Sequence, residues 1–187
     1  MPEHPAARGW SAAEERRGEV VVSMANHSAD PGVEFDRVFC LLLPRLYRRA
    51  VLLVGRDAAE DVVHEVYLKL RRRARRLVVH PAPYAYCFAA MVSVVRDQWR
   101  RDRRQVLVPL SVDRVQEGDT LSVREAELEV VRLLSGLTVK QAAAVLLVDL
   151  DGYTVDEAAV VLCVHRGTVA RSRARALSRL RDALAAE

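Results

Sequence analysis

The stretch Thr154–Leu184, TVDEAAVVLCVHRGTVARSRARALSRLRDAL, decides the fold. Two helices fit it. Thr154 stands as an N-cap, and Asp156 and Glu157 fall in the first turn, where a helix dipole favours anions. Val155, Ala158, Ala159 and Leu162 recur at helical spacing. Cys163-Val164-His165 makes a short turn, and a second helix begins near Arg166-Gly167-Thr168. Val169, Ala176, Leu177, Leu180 and Leu184 form one face of that helix, and Arg171, Arg175 and Arg179 recur one turn apart on another. The pattern predicts a helix-turn-helix whose basic second helix enters a major groove. An ordinary helical hairpin with a solvated arginine face would show the same spacing.

The rest of the composition fits a DNA-binding protein. The chain has 187 residues, 51% of them hydrophobic, which is ample for a core. The net charge of +4 hides a strong pattern. Residues 34–104 and 158–187 are basic, whereas 1–33, 105–123 and 124–157 are acidic. Nucleic acid touching both basic blocks is the simplest partner for that layout. No apolar run approaches the ~20 residues of a membrane span. The only apolar run near the start, Val20-Val21-Val22, is too short for a secretory signal. A cytoplasmic protein without membrane insertion is expected. Cys40, Cys87 and Cys163 show no CxxC or paired spacing, so reduced core thiols are expected rather than disulfides or zinc ligands.

In chain order, residues 1–33 have no sustained period and read as a mobile tail. A helix follows from Glu34 to about Val54, with a stripe of Phe35, Val38, Phe39, Leu42 and Leu46, and Pro44 as a point of kinking or division. Asp57 is placed to cap the next helix, Ala58 to about Arg73. Its inner stripe is Val62, Val63, Val66, Tyr67 and Leu70, and its other face carries Asp61, His64, Glu65 and Leu68. An arginine run at 71–76 leads to a loop marked by Pro81 and Pro83. A long helix then runs to about Arg104. Residues 105–122 lose the period and read as a linker, and helices resume at about Val123–Leu134 and Thr138–Leu150, closed by Asp151-Gly152. No stretch reads convincingly as a strand. The expected fold is all-α: two small helical domains, 34–104 and 123–187, joined by a flexible linker.

Little in the chain suggests catalysis. His64-Glu65 invites comparison with the HExxH zinc helix, but position 68 is Leu, so the second ligand is missing. There is no phosphate-binding glycine loop and no GxSxG. No catalytic residue, metal or cofactor is expected, and the chain is read as a binding protein. The better lead is the late end of the long helix. There Arg96, Trp99, Arg100, Arg101, Arg103 and Arg104 gather, with Tyr84 at the helix start as a further stacking surface, whereas Tyr86 reads as a core or rim residue. Aromatic faces beside phosphate ligands suit a single strand.

At four places the chain resembles a bacterial RNA polymerase sigma factor of the small, two-domain extracytoplasmic-function group. Ala59-Glu60-Asp61-Val62-Val63-His64-Glu65-Val66-Tyr67-Leu68 is similar to one signature helix of that group. Pro83-Tyr84-Ala85-Tyr86-Cys87-Phe88, followed by Asp97 and Arg100-Arg101, is similar to another. Leu137 through Thr154 keeps the spacing of a third motif. Glu157-Ala158-Ala159, Leu162 and Gly167-Thr168-Val169 match the helix-turn-helix signature. The departures are His64 for the usual Gln, Ser93 for Asn, Thr138 for Pro, and Ala170-Arg171-Ser172-Arg173 after the Gly-Thr-Val. Arg173 falls near the apolar seam, so either its stem snorkels or the helix is slightly rotated.

The resemblance implies a promoter-recognition subunit. Its partners would be core RNA polymerase and promoter DNA, with an anti-sigma factor as a candidate third. Asp61, His64, Glu65 and Leu68 would dock on the polymerase. Arg96, Trp99, Arg100, Arg101, Arg103 and Arg104 would hold the melted minus-ten strand, and the 71–83 loop would house a flipped base. Arg166, Thr168, Arg171 and Arg175 would contact the duplex minus-thirty-five element. Two other readings compete: a stand-alone helix-turn-helix regulator, and a degenerate sigma-like interaction protein.

Overall fold

The computed structural model describes residues 30–102 and 121–185, all in helices and short connections. Most of the expected tail, the linker at 105–122 up to residue 120, and Arg103 and Arg104 lie outside the described residues. Helix α1 spans Pro31–Val54. Asp30 caps it by accepting from the Gly32 amide at 3.0 Å, and Pro31 supplies a preset φ at the first position. Pro44 does not divide α1. Cys40, Leu41, Leu43 and Pro44 are all exposed, so the carbonyl left without an amide partner faces water.

Gly55 ends α1 with φ +83°, a conformation open to glycine, and α2 starts at once as Arg56–Arg71. The expected cap is therefore displaced: Gly55 is the N-cap and Asp57 sits in the first turn. A five-residue helix, α3 (Ala74–Val78), lies where only an arginine run leading into a loop was expected. Buried Leu77 anchors it. Helix α4 is Pro83–Asp102. Phe35, Val38 and Leu46 of α1 meet Val62, Val66 and Leu70 of α2 and Phe88, Met91 and Val95 of α4 in the core. Tyr67 packs on Phe35 and Phe39 at 5.5 and 5.3 Å, and its hydroxyl donates to Asp36 at 2.9 Å. Cys87 is fully buried, and burial pushes its thiol up to about 12. Cys40 and Cys163 are exposed free thiols, which corrects the expectation of three core thiols. Neither occupies an inward position on its helix or turn.

The second set begins with α5 (Leu121–Ser135) and α6 (Val139–Val145). Thr138 caps α6 in a capping box with Gln141, a role the usual proline could not fill with a side chain. The helix then widens into a π turn, Leu146–Leu150. Gly152, with φ +73°, closes it. Helix α7 (Val155–Val161) starts on the Thr154–Glu157 capping box, and α8 is Arg166–Ala185. Leu134, Leu146, Leu147, Tyr153, Ala158, Val169 and Ala176 are buried among these helices and are continuous with the core of the first set.

The two sets touch. Helix α1 packs against α5 and α6, and α4 against α6 and α7. At their contact Asp151, just past the π turn, has no exposed side-chain surface. Arg45 Nη2 and Arg49 Nη2 donate to its Oδ1 at 2.9 and 2.8 Å, and the Tyr84 hydroxyl donates to its Oδ2 at 2.8 Å. The Arg45 guanidinium also lies 3.7 Å from the Tyr84 ring centroid. Burial, with Asp151 adding to it, raises the Tyr84 pKa well above its ordinary value.

Candidate nucleic-acid interface

The turn that delivers α8 is tight. Cys163 takes φ +52°, the only positive φ among the described non-glycine residues. The Val164 amide closes the turn on the Ala159 carbonyl at 3.0 Å. Buried Val169 and Ala176, with Leu180 packed beside them, hold α8 to the core, whereas Leu184 is exposed and does not extend that face. Opposite lies an outward stripe of Ala170, Arg171, Ala174, Arg175 and Ser178, all exposed. Such a surface admits two arginines and two small apolar contacts to one groove.

The arginines of α8 divide into two kinds. Arg173 is neither snorkelling nor displaced: its Nε donates to Asp149 Oδ2 and Oδ1 at 2.9 and 3.1 Å, and its Nη2 joins them. Those bonds raise its pKa further. Arg166 pairs with Asp156 at 3.1 Å, with both side chains largely in water. Arg179 reaches the Gly136 carbonyl and the Gln141 side chain at 3.4 and 3.5 Å. Arg171 and Arg175 make no hydrogen bond or ion pair among the described residues. Thr168 is half-buried at the start of α8, and its amide donates to the His165 carbonyl.

On α4 the expected strand-binding cluster is partly assembled. Arg96, Trp99 and Arg100 are exposed near the helix end. Arg100 leans on Asp97 at 4.0 Å, and Arg101 pairs with Glu65 of α2 at 3.3 Å. Tyr84 does not belong to this surface. It is buried against the second helix set and stands about 22 Å along α4 from Trp99. Tyr86 is half-buried and stacks on His80 at 4.9 Å, so it too faces its own loop. Sequence reasoning passed over Arg72, Arg73, Arg75 and Arg76 as individual ligands. All four are exposed around α3 and unpaired among the described residues. The arginine run itself was the signal.

The four residues expected to dock on a polymerase differ in their surroundings. Asp61, His64 and Leu68 share an exposed face of α2. Glu65 is half-buried and turned toward α4, where Gln98 and Arg101 donate to it at 3.2 and 3.3 Å. Beside His64 an open apolar groove of about 560 Å³ runs between α1 and α2, lined by Phe39, Cys40, Leu43, Pro44 and Tyr47. No helix among the described residues is long and apolar enough to cross a membrane.

Residues 127–180, from within α5 through three quarters of α8, match the family described as sigma-70, region 4. No curated protein matches the chain. Among solved structures it is similar to the sigma factor RpoE in complex with the anti-sigma factor NepR from Bartonella quintana. Sequence identity is 23% and the TM-score 0.64, and the match covers 81% of this chain and 96% of that one. At that coverage the shared fold takes in both helix sets.

Proposed function

We infer that this chain is a sigma factor of the small two-domain kind, a non-catalytic subunit through which core RNA polymerase finds promoters. One observation carries the reading. The segment matching sigma-70 region 4 is folded as a helix-turn-helix whose outer stripe presents Arg171 and Arg175. An ordinary hairpin with a solvated arginine face would not bring that family match with it. Promoter DNA and core polymerase are the partners, and a polymerase subunit works in the cytoplasm, where the chromosome is.

The domains are taken as 34–104 and 123–187, joined by 105–122. Helix α1 starting at Pro31 and α5 at Leu121 support boundaries close to these. In the C-terminal domain, Arg171 and Arg175 read base edges in the minus-thirty-five duplex, Ala170 and Ala174 pack on thymine methyls, and Arg166 and Thr168 hold the backbone. In the N-terminal domain, Arg96, Arg100 and Arg101 hold phosphates of the melted minus-ten strand, with Trp99 as a stacking face. Arg103 and Arg104 extend that series in sequence. Asp61, His64 and Leu68 dock on the polymerase, with Glu65 acting from behind by fixing α4 to α2. The degenerate-protein reading drew its support from the departures at 170–173. Arg173 held by Asp149 accounts for the largest of them. An anti-sigma factor bound to this chain is a further proposal, since the similar solved chain is seen in such a complex.

The test is transcription reconstituted from core polymerase, this chain and promoter DNA selected by the holoenzyme. The sigma reading expects initiation only when the chain is present. Tight DNA binding by the chain alone, with no effect on core polymerase, would instead identify a stand-alone regulator. Asp61→Arg should weaken competition for core while helicity is unchanged. Normal competition by that variant would remove Asp61 from the docking face.

A further inference from the structure

We propose that Asp151 is the keystone of a closed state of the free chain. In that state the C-terminal helices are latched to the N-terminal bundle, and the latch opens before both promoter elements can be held. The consequence for promoters rests on the sigma-factor reading; the latch itself does not. Every side-chain hydrogen bond made by Asp151 among the described residues comes from the other helix set: Arg45 and Arg49 of α1, and Tyr84 of α4. Its carboxylate is wholly buried, while the two arginine side chains are 21% and 16% exposed. A buried carboxylate is tolerated only when its lone pairs are filled. Here they are filled by residues more than 60 positions away in the sequence.

Local geometry brings the group there. The π turn bonds the Asp151 amide to the Leu146 carbonyl at 2.9 Å, so one extra residue is packed into the turn. Asp151 and Tyr153 then face inward while Gly152, at positive φ, stays outside. The contact is reversible in character. When the sets part, the carboxylate, both guanidiniums and the phenol all return to water, together with the apolar surface that α1 and α4 share with the second set.

The closed state does not fit a promoter. Elements at minus ten and minus thirty-five are about 25 base pairs apart, or about 85 Å at 3.4 Å per pair. A single compact body of 187 residues has a radius of gyration of about 16 Å. It cannot reach both elements. The eighteen residues between the described segments can span at most about 60 Å when extended, so separated domains can. The closed and promoter-spanning states therefore exclude each other, and closure lowers apparent affinity by the fraction of chain that is closed.

The chain carries its own reporters. Cys40 on α1 and Cys163 in the turn before α8 are exposed, one in each set, and Cys87 is buried. Nitroxide labels at Cys40 and Cys163 of the full chain give the interdomain distance directly. The wild type should show one narrow distribution. Asp151→Asn and Arg49→Ala, each with unchanged helicity, should broaden it toward longer distances and lower the closed-to-open ratio about tenfold or more. Both should then bind core polymerase several-fold more tightly. A wild-type distribution in both variants overturns the latch. If Asp151→Asn loses helicity, Arg49→Ala alone decides. Longer distances without tighter core binding overturn the inhibitory role. A wild type that never supports transcription overturns the sigma reading while the distance result still stands.

Discussion

Helices α4 and α8 both carry many arginines, yet they use them differently. On α8, Arg166, Arg173 and Arg179 have partners on other elements and Arg181 bonds back to Leu177 of its own helix, while two arginines have none among the described residues. Asp149 holds Arg173, Asp156 meets Arg166, and Gly136 and Gln141 receive Arg179, while Arg171 and Arg175 project from the outer stripe. On α4, Arg100 leans along its own helix and Arg101 crosses to Glu65, while Arg96 is exposed near Trp99. Tethered arginines fix how a helix sits, and untethered ones reach a ligand. A helix braced in this way can read base edges, which demands exact placement of two side chains. A looser basic helix end suffices for phosphates on a single strand.

The largest effect should fall on the untethered pair. Replacing Arg171 or Arg175 by Ala should cost roughly 1–3 kcal/mol of promoter binding, concentrated at one base position for each residue. Band-shift titrations over single-base variants measure it. A smaller effect tests the turn that delivers α8. Cys163→Gly removes a left-handed strain and should raise stability by about 1 kcal/mol in thermal melts. An unchanged or lowered melting temperature would mean the turn is not strained there.

Bracing itself is tested at Asp149. Asp149→Ala should cost about 0.5–1 kcal/mol of stability, a modest figure because the Arg173 side chain is 37% exposed. It should also blunt discrimination between promoter variants, since α8 loses one of its fixings. If only stability changes, Arg173 is a packing feature and not a positioning residue. The smallest expected effect is at Glu65. Glu65→Gln releases Arg101 and should change binding of a single-stranded minus-ten oligonucleotide by holoenzyme by a few tenths of a kcal/mol. A large loss would return Glu65 to the docking face.

Much of this arrangement was legible in the sequence, for physical reasons that differ by element. Thr154 with Glu157 forms a local capping box, and Val169 with Ala176 repeats at helical period, so the helix-turn-helix could be read within one stretch. The same holds for the stripe Val62, Val66 and Leu70. What escaped depends on distant partners. Glu65 looked free on its own helix and keeps 43% of its side chain exposed, but Gln98 and Arg101 arrive from α4 to bond its carboxylate. Tyr84 looked like a stacking surface, but the second helix set covers it. Asp151 looked like half of an Asp-Gly helix stop. The π turn rotates it into the contact with Arg45 and Arg49, and no local pattern announces a π turn. Local misreadings also occurred: Gly55 displaced Asp57 as a cap because its positive φ lets α2 begin two residues early.

On the sigma-factor reading proposed above, α8 would read sequence and α4 would hold phosphate. Holoenzyme reconstituted with Arg175→Ala or with Arg100→Ala can be titrated against a set of single-base promoter variants at two salt concentrations. Arg175→Ala should lose discrimination at one minus-thirty-five position. Arg100→Ala should weaken all variants alike and lower the salt slope by about one. Uniform losses for Arg175→Ala, with an unchanged salt slope for Arg100→Ala, would overturn this division of labour.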